Sequence, residues 1–429
     1  PRFRGSTDGA VADDPRLPEI WSETENVVWT VDVPGLGWSS PVVWDDHIFL
    51  TTAVSAGEEL APVTGLYDPG ADSGATRSTS SHRWIVYDVD FVTGNVRWAR
   101  EVSSQVPSIE RHLKNSFASE TPVTDGERVY TYFGAIGLVA ALDLDGEVVW
   151  TRELGVFNGR QRFGTAASPA LHDGRLFIVN DNDGRSFIIA LDAETGQERW
   201  HLERDEGTNW STPFVWQYED HAEIVTAGSD QVRSYDLEGK ELWNLSGLNS
   251  ISIPQPFSAH GLLYVTSGYV GDTIRPVYAI RPGASGDISL EPGQESNEAI
   301  AWYDDSAGPY HPTPLVYGNY YITLLDRGFF TVHDARTGEE QYFTERQILD
   351  QQVRRRIARG ASGFTASPWA YNDKIFMLSE DGDTYVIDTT DNFDVITVNS
   401  LGEVAMSSPA IARGSLFVRT RSHLWRLSN

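Results

Sequence analysis

Trp38, Arg111, His112, Lys114, Asn115, Arg160, Arg162, Asn209, Trp210, Tyr310 and Arg359 are far more polar or aromatic than simple packing requires. Most precede or flank small-residue-plus-proline signals. The planar arginine fork suits a carboxylate, sulfate, uronate or quinone. Indoles such as Trp38 and Trp210 can stack on a flat ring or a sugar face. His112 and His311 are the candidate general bases. Glu120, beside a proline signal, is the candidate buried carboxylate. These arginines could equally pair with local carboxylates, and each histidine could be structural. Asp181-Asn182-Asp183-Gly184 and Glu380-Asp381-Gly382-Asp383 have calcium-type composition. Both fall where a hairpin is expected, and neither has the glutamate at loop position twelve of a helix-loop-helix site, so they read as turns and no metal site is assigned. No Gly-x-Ser-x-Gly nucleophile elbow occurs.

The elements that position these residues follow from an internal repeat. A residue-plus-proline signal recurs eight times, at Ser40-Pro41, Thr121-Pro122, Ser168-Pro169, Thr212-Pro213, Gln255-Pro256, Thr313-Pro314, Ser367-Pro368 and Ser408-Pro409. A short apolar stretch, a turn and a β-rich run follow each. The second half of the unit ends a strand on Asp and places Gly in a turn, with an aromatic four residues later: Asp90…Gly94…Trp98, Asp143…Gly146…Trp150, Asp192…Gly196…Trp200, Asp236…Gly239…Trp243 and, with Tyr, Asp334…Gly338…Tyr342. Four antiparallel strands in about 40–50 residues make a propeller blade. The aromatics are expected to cement one sheet to the next.

The last unit runs out after its third strand, at His423–Leu427. Asn26-Val27-Val28-Trp29 matches the outer-strand sequence Asn95-Val96-Arg97-Trp98. The expectation is therefore an all-β, eight-bladed β-propeller of four-stranded blades. The N-terminal strand pairs into the C-terminal blade and removes an open edge. Residues 1–429 read as one domain. Residues 54–82 form a loop inserted in blade 1, residues 281–301 lengthen the outer hairpin of blade 5, and residues 344–363 form an Arg-rich connector before blade 7. The only stretch with a helical period is 345–359.

Composition bounds the partners. The 429 residues carry 61 Asp+Glu against 33 Lys+Arg, a formal charge of −28. That field opposes nucleic acid and anionic membranes. With no cysteine, disulfides, thiolate zinc sites and thiol nucleophiles are excluded. Lys114, Lys240 and Lys374 are the only lysines, an Arg-over-Lys, acid-rich balance that fits a salt-tolerant or extracellular protein. No apolar run spans a membrane. The chain starts at Pro1, consistent with a removed leader, and reads as a monomer.

Asp192-Ala193-Glu194-Thr195-Gly196-Gln197-Glu198-Arg199-Trp200 resembles the repeat of pyrroloquinoline-quinone (PQQ) dehydrogenases and of the β-propeller lipoprotein of outer-membrane assembly. Several other segments match bacterial exported PQQ-binding-like β-propeller repeat proteins: Arg2-Phe3-Arg4-Gly5, Gly37-Trp38-Ser39-Ser40-Pro41, Lys114-Asn115-Ser116, Ser119-Glu120-Thr121-Pro122, Thr208-Asn209-Trp210 and Gly268-Tyr269-Val270-Gly271-Asp272. The resemblance covers the full length. It implies an exported propeller, periplasmic or secreted, and no particular reaction.

Three functions follow as expectations. The first is a binding scaffold whose cationic, aromatic mouth takes an anionic small molecule, a glycan or another exported protein, without a cofactor. The second, implied by the resemblance, is a PQQ- and calcium-dependent oxidoreductase of alcohols or sugars. It is weakened because those enzymes place an adjacent cysteine pair over the quinone. The third is a carbohydrate-active lyase or hydrolase using His112 or His311 with an arginine.

Overall fold

The computed structural model describes residues 2–65, 74–325, 327–343, 363–390 and 392–429. The repeat folds as read: eight four-stranded antiparallel sheets, the blades of an eight-bladed β-propeller. Blade 1 is Val42–Trp44, His47–Ser55, His82–Asp90 and Val96–Gln105. Blades 2 to 7 follow along the chain. Blade 8 takes Ala410–Ala412, Ser415–Arg419 and His423–Leu427 from the C-terminus and its outer strand, Val27–Asp32, from the N-terminus. Trp29 pairs with Arg426, Thr30 with Trp425 and Val31 with Leu424, as expected. Blades 1, 2, 7 and 8 lie in one compact unit (Pro1–Thr165 with Arg346–Asn429), and blades 3 to 6 form a second (Ala166–Glu345).

Two devices tie blade to blade. The first uses the outer-strand tryptophan. The Trp29 indole N–H donates to the Phe91 carbonyl at 3.0 Å, Trp98 to Leu144 at 2.9 Å, Trp200 to Leu237 at 2.9 Å and Trp302 to Ala335 at 2.9 Å. In each case the acceptor directly follows the turn-capping Asp of the next blade. The ring lies on that turn's glycine: Gly94 under Trp29, Gly146 under Trp98, Gly239 under Trp200 and Gly338 under Trp302. All four glycines have positive φ, so they make the turn and leave room for the ring.

A β-bulge recurs at one place in all eight blades, one residue before the aromatic position. Val148 pairs with Leu142 and Trp150 with Ala141, which leaves Val149 as the extra residue. The same shift precedes Trp29, Trp98, Trp200, Trp243, Trp302, Tyr342 and Thr397. The bulge turns the aromatic side chain out of strict alternation.

The second device pairs the residues before the prolines of adjacent blades. The Ser40 N–H donates to the Thr121 hydroxyl at 2.9 Å and that of Ser367 to Ser408 at 2.9 Å. In the other unit, Ser168 donates to Thr212 and Gln255 to Thr313, both at 3.0 Å. A hydroxyl from blades 2, 4, 6 and 8 therefore fastens each of those inner strands to the blade before it. Proline continues the extended chain where no N–H is needed.

The lengthened blade 5 hairpin adds something unforeseen. Gly286–Asp287 pairs in parallel with Trp243–Asn244, so blade 4 has a fifth strand on its outer edge. Trp243 is thereby fully buried, with its indole N–H on Glu223. The expected helical period over 345–359 and nearly all of the 344–363 connector lie outside the described residues.

The indole contact can be isolated by two substitutions. At Gly146 (φ +82°) a Cβ would sit 2.6 Å from the Trp98 ring, whereas at Gly174 (φ +67°) it would meet nothing within 4 Å. Gly174→Ala should cost about 1 kcal/mol and Gly146→Ala at least about 2 kcal/mol in denaturant unfolding. Equal losses would show that the ring contributes no packing constraint.

Candidate functional site

In the first unit, the loop from Arg111 to Glu120 gathers most of the expected residues. Arg111–His112 pairs with Ala75–Thr76, so the inserted segment lies against this loop in a two-stranded sheet. The Leu113 N–H donates to the Gly74 carbonyl at 2.9 Å. A Cβ at Gly74 would lie 2.5 Å from His112 Nε2. The other arm of the insertion brings Glu59 to 3.9 Å from Arg111 and 4.0 Å from His82. The described parts of 54–82 are therefore docked onto the mouth rather than forming a free loop.

The cations here are partnered. Lys114 Nζ donates to Glu380 Oε1 at 2.8 Å, and that carboxylate also accepts the Thr365 hydroxyl at 2.7 Å. Arg111 is buried and spends its guanidinium on the Asn115 carbonyl (2.8 Å) and the His112 carbonyl (3.3 Å), with the Phe117 ring 5.5 Å away. Arg160 and Arg162 share a 3-10 turn, and Arg162 reaches Glu110 at 3.3 Å. Trp38 is buried, its indole N–H on the Lys114 carbonyl at 2.8 Å. Asn115 donates to the Phe163 and Thr165 carbonyls and accepts from Ser116 and Ser119, which makes it a loop brace. Arg359, with Arg354, Arg355 and Arg356, lies outside the described residues.

His112 and Glu120 are both perturbed. Burial, then the charges of Lys114 and Arg111, push His112 down to about 4, so it is neutral at physiological pH. Its Nδ1 accepts the Lys114 N–H at 3.1 Å. Glu120 is fully buried where its inner strand begins. It accepts the Gly134 N–H at 3.1 Å, and burial pushes it up to about 7.

In the second unit, Asn209 joins a buried ionic network. Arg204 Nε donates to Asp181 at 2.8 Å, and its Nη1 donates to the Thr226 and Tyr235 hydroxyls. Burial opposes the charge on Arg204, but Asp181, Tyr235 and Glu206 outweigh it. Glu206 pairs with Arg233 and is pushed up to about 7, chiefly by burial. Asn209 donates to Asp181 at 2.7 Å, and the Trp210 N–H donates to the Ser252 carbonyl at 2.9 Å. Tyr310 is buried, its ring 5.5 Å from Tyr269 and 4.0 Å from His311. The Asp181–Gly184 segment is a hairpin turn, with Asn182 Oδ1 accepting the Gly184 and Arg185 N–H groups. A polar pocket of about 440 Å³ opens beside it, lined by Asp183, Arg185, Glu203 and Asp205 among others.

Sequence reasoning placed the cations and missed their partners. Glu59 lies in the insertion, and Glu380 lies 266 residues from Lys114. Glu380 carried one signal, an acid beside a hairpin glycine, which also fits an ordinary turn. Among the described residues no group of three or more His, Asp or Glu side chains could hold a metal ion. Among the described residues, Arg111, Arg162 and Lys114 already have protein partners, an arrangement that does not favour a tricarboxylate quinone with its calcium.

Two outcomes test this arrangement. Lys114→Ala strands the buried Glu380 charge and should cost on the order of 3 kcal/mol, whereas Arg162→Ala, at an exposed pair, should cost below about 0.5 kcal/mol. Glu120 titrates higher in the native chain than when unfolded, so the native state holds an extra proton between about pH 4.5 and 7. Stability should fall as pH rises through that window, by about 3 kcal/mol from this group. Glu120→Gln should remove that part of the slope in thermal unfolding and be the more stable chain at pH 8. An unchanged slope would show that Glu120 is ionised throughout.

Comparison with known proteins agrees with the architecture. Residues 81–246 match the family model described as outer membrane protein assembly factor BamB. No curated protein matches the sequence. Among solved structures, BamB from Moraxella catarrhalis superposes with a TM-score of 0.59 at 11% identity, covering 94% of this chain and 97% of that one. The quinohemoprotein alcohol dehydrogenase of Comamonas testosteroni gives 0.56 at 13% identity, covering 96% and 78%. The computationally designed protein Ika8 gives 0.52 at 16% identity, covering 86% and 100%. At such identities the likeness is one of fold. Together with the blade motifs and the bulged outer strands, it shows the fold of an eight-bladed β-propeller, whose residues 81–246 are similar to the PQQ-like repeat of that family model.

Proposed function

We propose that the chain works as a single eight-bladed interaction scaffold, exported to the periplasm or beyond, that binds another exported protein through its loops. The observation that carries this reading is the internal pairing of the mouth cations, above all Lys114 with Glu380. A site awaiting a small anion or acidic glycan keeps its arginines and lysines available, whereas paired ones give the loops a fixed shape. The fold supports the same view, because hydroxyl and indole locks between blades hold the loop ends rigid. No described helix is long and apolar enough to cross a membrane. The similarity to an assembly factor favours a protein partner, and the excess of Asp and Glu favours one with a basic surface.

A photo-crosslinking amino acid at the exposed loop positions Leu60 or Val270 should give discrete protein adducts in the native host, and one at Val149 on an outer strand should not. The same protein titrated with PQQ plus calcium, citrate or polygalacturonate should shift in melting temperature by less than about 1 °C. A shift of several degrees with dye-linked alcohol oxidation would overturn the scaffold reading.

A further inference from the structure

The insertion in blade 1 is held in an unusual way. Its entry and exit stand side by side: the Ala56 N–H donates to the Ser81 carbonyl at 2.8 Å, and a Cβ on Gly57 would lie 2.3 Å from the Ser80 hydroxyl. Blade 1 needs none of the residues between them to complete its strands. The entry arm runs without regular structure to two carboxylates on the hairpin of blade 7. The Gly65 N–H donates to Glu380 Oε2 at 2.8 Å, and the Thr64 hydroxyl donates to Asp381 Oδ1 at 3.0 Å. Leu60 and Val63, the large apolar side chains of this arm, are 54% and 51% exposed. Polar contacts seat the arm, and its apolar surface stays in water, the reverse of a segment that belongs to a core.

The receiving site is built independently of the arm. The Glu380 side chain is buried, with its other oxygen fixed by Lys114 and Thr365. Its backbone N–H donates to Gly363, and its carbonyl accepts from Ala405. One carboxylate oxygen is left for a main-chain N–H, beside a second carboxylate for a hydroxyl. Gly65 has φ +100°, a conformation that needs glycine. The pair therefore reads a hydroxyl residue followed by glycine.

We infer that Glu380 and Asp381 form a peptide-docking site which the chain's own Thr64-Gly65 occupies, and that the protein partner displaces this arm with an extended Ser/Thr-Gly segment of its own. The inference rests on the scaffold reading and names the partner's chemistry at the same mouth.

Excision of residues 58–79, with Gly57 joined to Ser80 through Asn-Gly, should leave a folded propeller. A fluorescent peptide of residues 58–65 should bind that variant saturably by anisotropy. Binding should be at least ten-fold weaker to the intact chain, where the arm competes, and at least ten-fold weaker when Glu380→Gln is added to the excised variant. A folded excised variant that ignores the peptide, or binds it equally with Glu380→Gln, overturns the inference. Should excision prevent folding, proteolysis of the intact chain within 58–65 decides: Asp381→Asn should speed cleavage several-fold, and an unchanged rate overturns the inference. Protein adducts at Leu60 or Val270 together with a failed peptide would sink the docking site and leave the scaffold standing.

Discussion

A blade of this protein cannot bury its own faces. Each blade is four short strands wide, five in blade 4, and its apolar side chains find cover only against the sheet beside it. The indole that crosses from one blade to the turn of the next is where this dependence is most explicit. It asks for a bulge to aim it, a glycine to receive it and a free carbonyl to take its N–H. The acceptor is available because the preceding Asp caps the turn with its own carboxylate, as Asp90 does for Val92 and Thr93. That single requirement accounts for most of the recurring letters in the chain.

The hydroxyls before the prolines do the same work near the axis. Proline there removes an N–H that has no ladder partner, and Thr121, Thr212, Thr313 and Ser408 each spend the hydroxyl on the neighbouring blade. Loop ends attached to such strands have little freedom. The mouth residues inherit that rigidity, so Lys114 and Glu380 can stay paired although 266 residues separate them.

Features set by local spacing could be read from the sequence, and pairings across long separations could not. The eight proline signals, the Asp–Gly–Trp turns and the match between Asn26–Trp29 and Asn95–Trp98 each lie within a few residues, and they specify the blades and the shared one. The grouping of Trp38 with Arg111, His112 and Lys114 followed from the repeat. Whether those cations were free did not, because Glu59 and Glu380 reach them from an insertion and from another blade. The fifth strand on blade 4 escaped for a similar reason. Gly286–Asp287 has no strand-like composition, and its pairing is set by the outer edge it meets.

The shared blade also bears on how the chain is made. Val27–Asp32 is made well before its strand partner among the described residues, His423–Leu427, which follows roughly 400 residues later. At about 5–20 residues per second the first strand waits tens of seconds with its hydrogen-bonding groups unanswered. For that interval the nascent chain carries a sticky, unpaired ribbon. A chaperone that shields β edges would therefore matter most before the ribosome reaches the last blade, and stalled or truncated chains would be the species prone to clump.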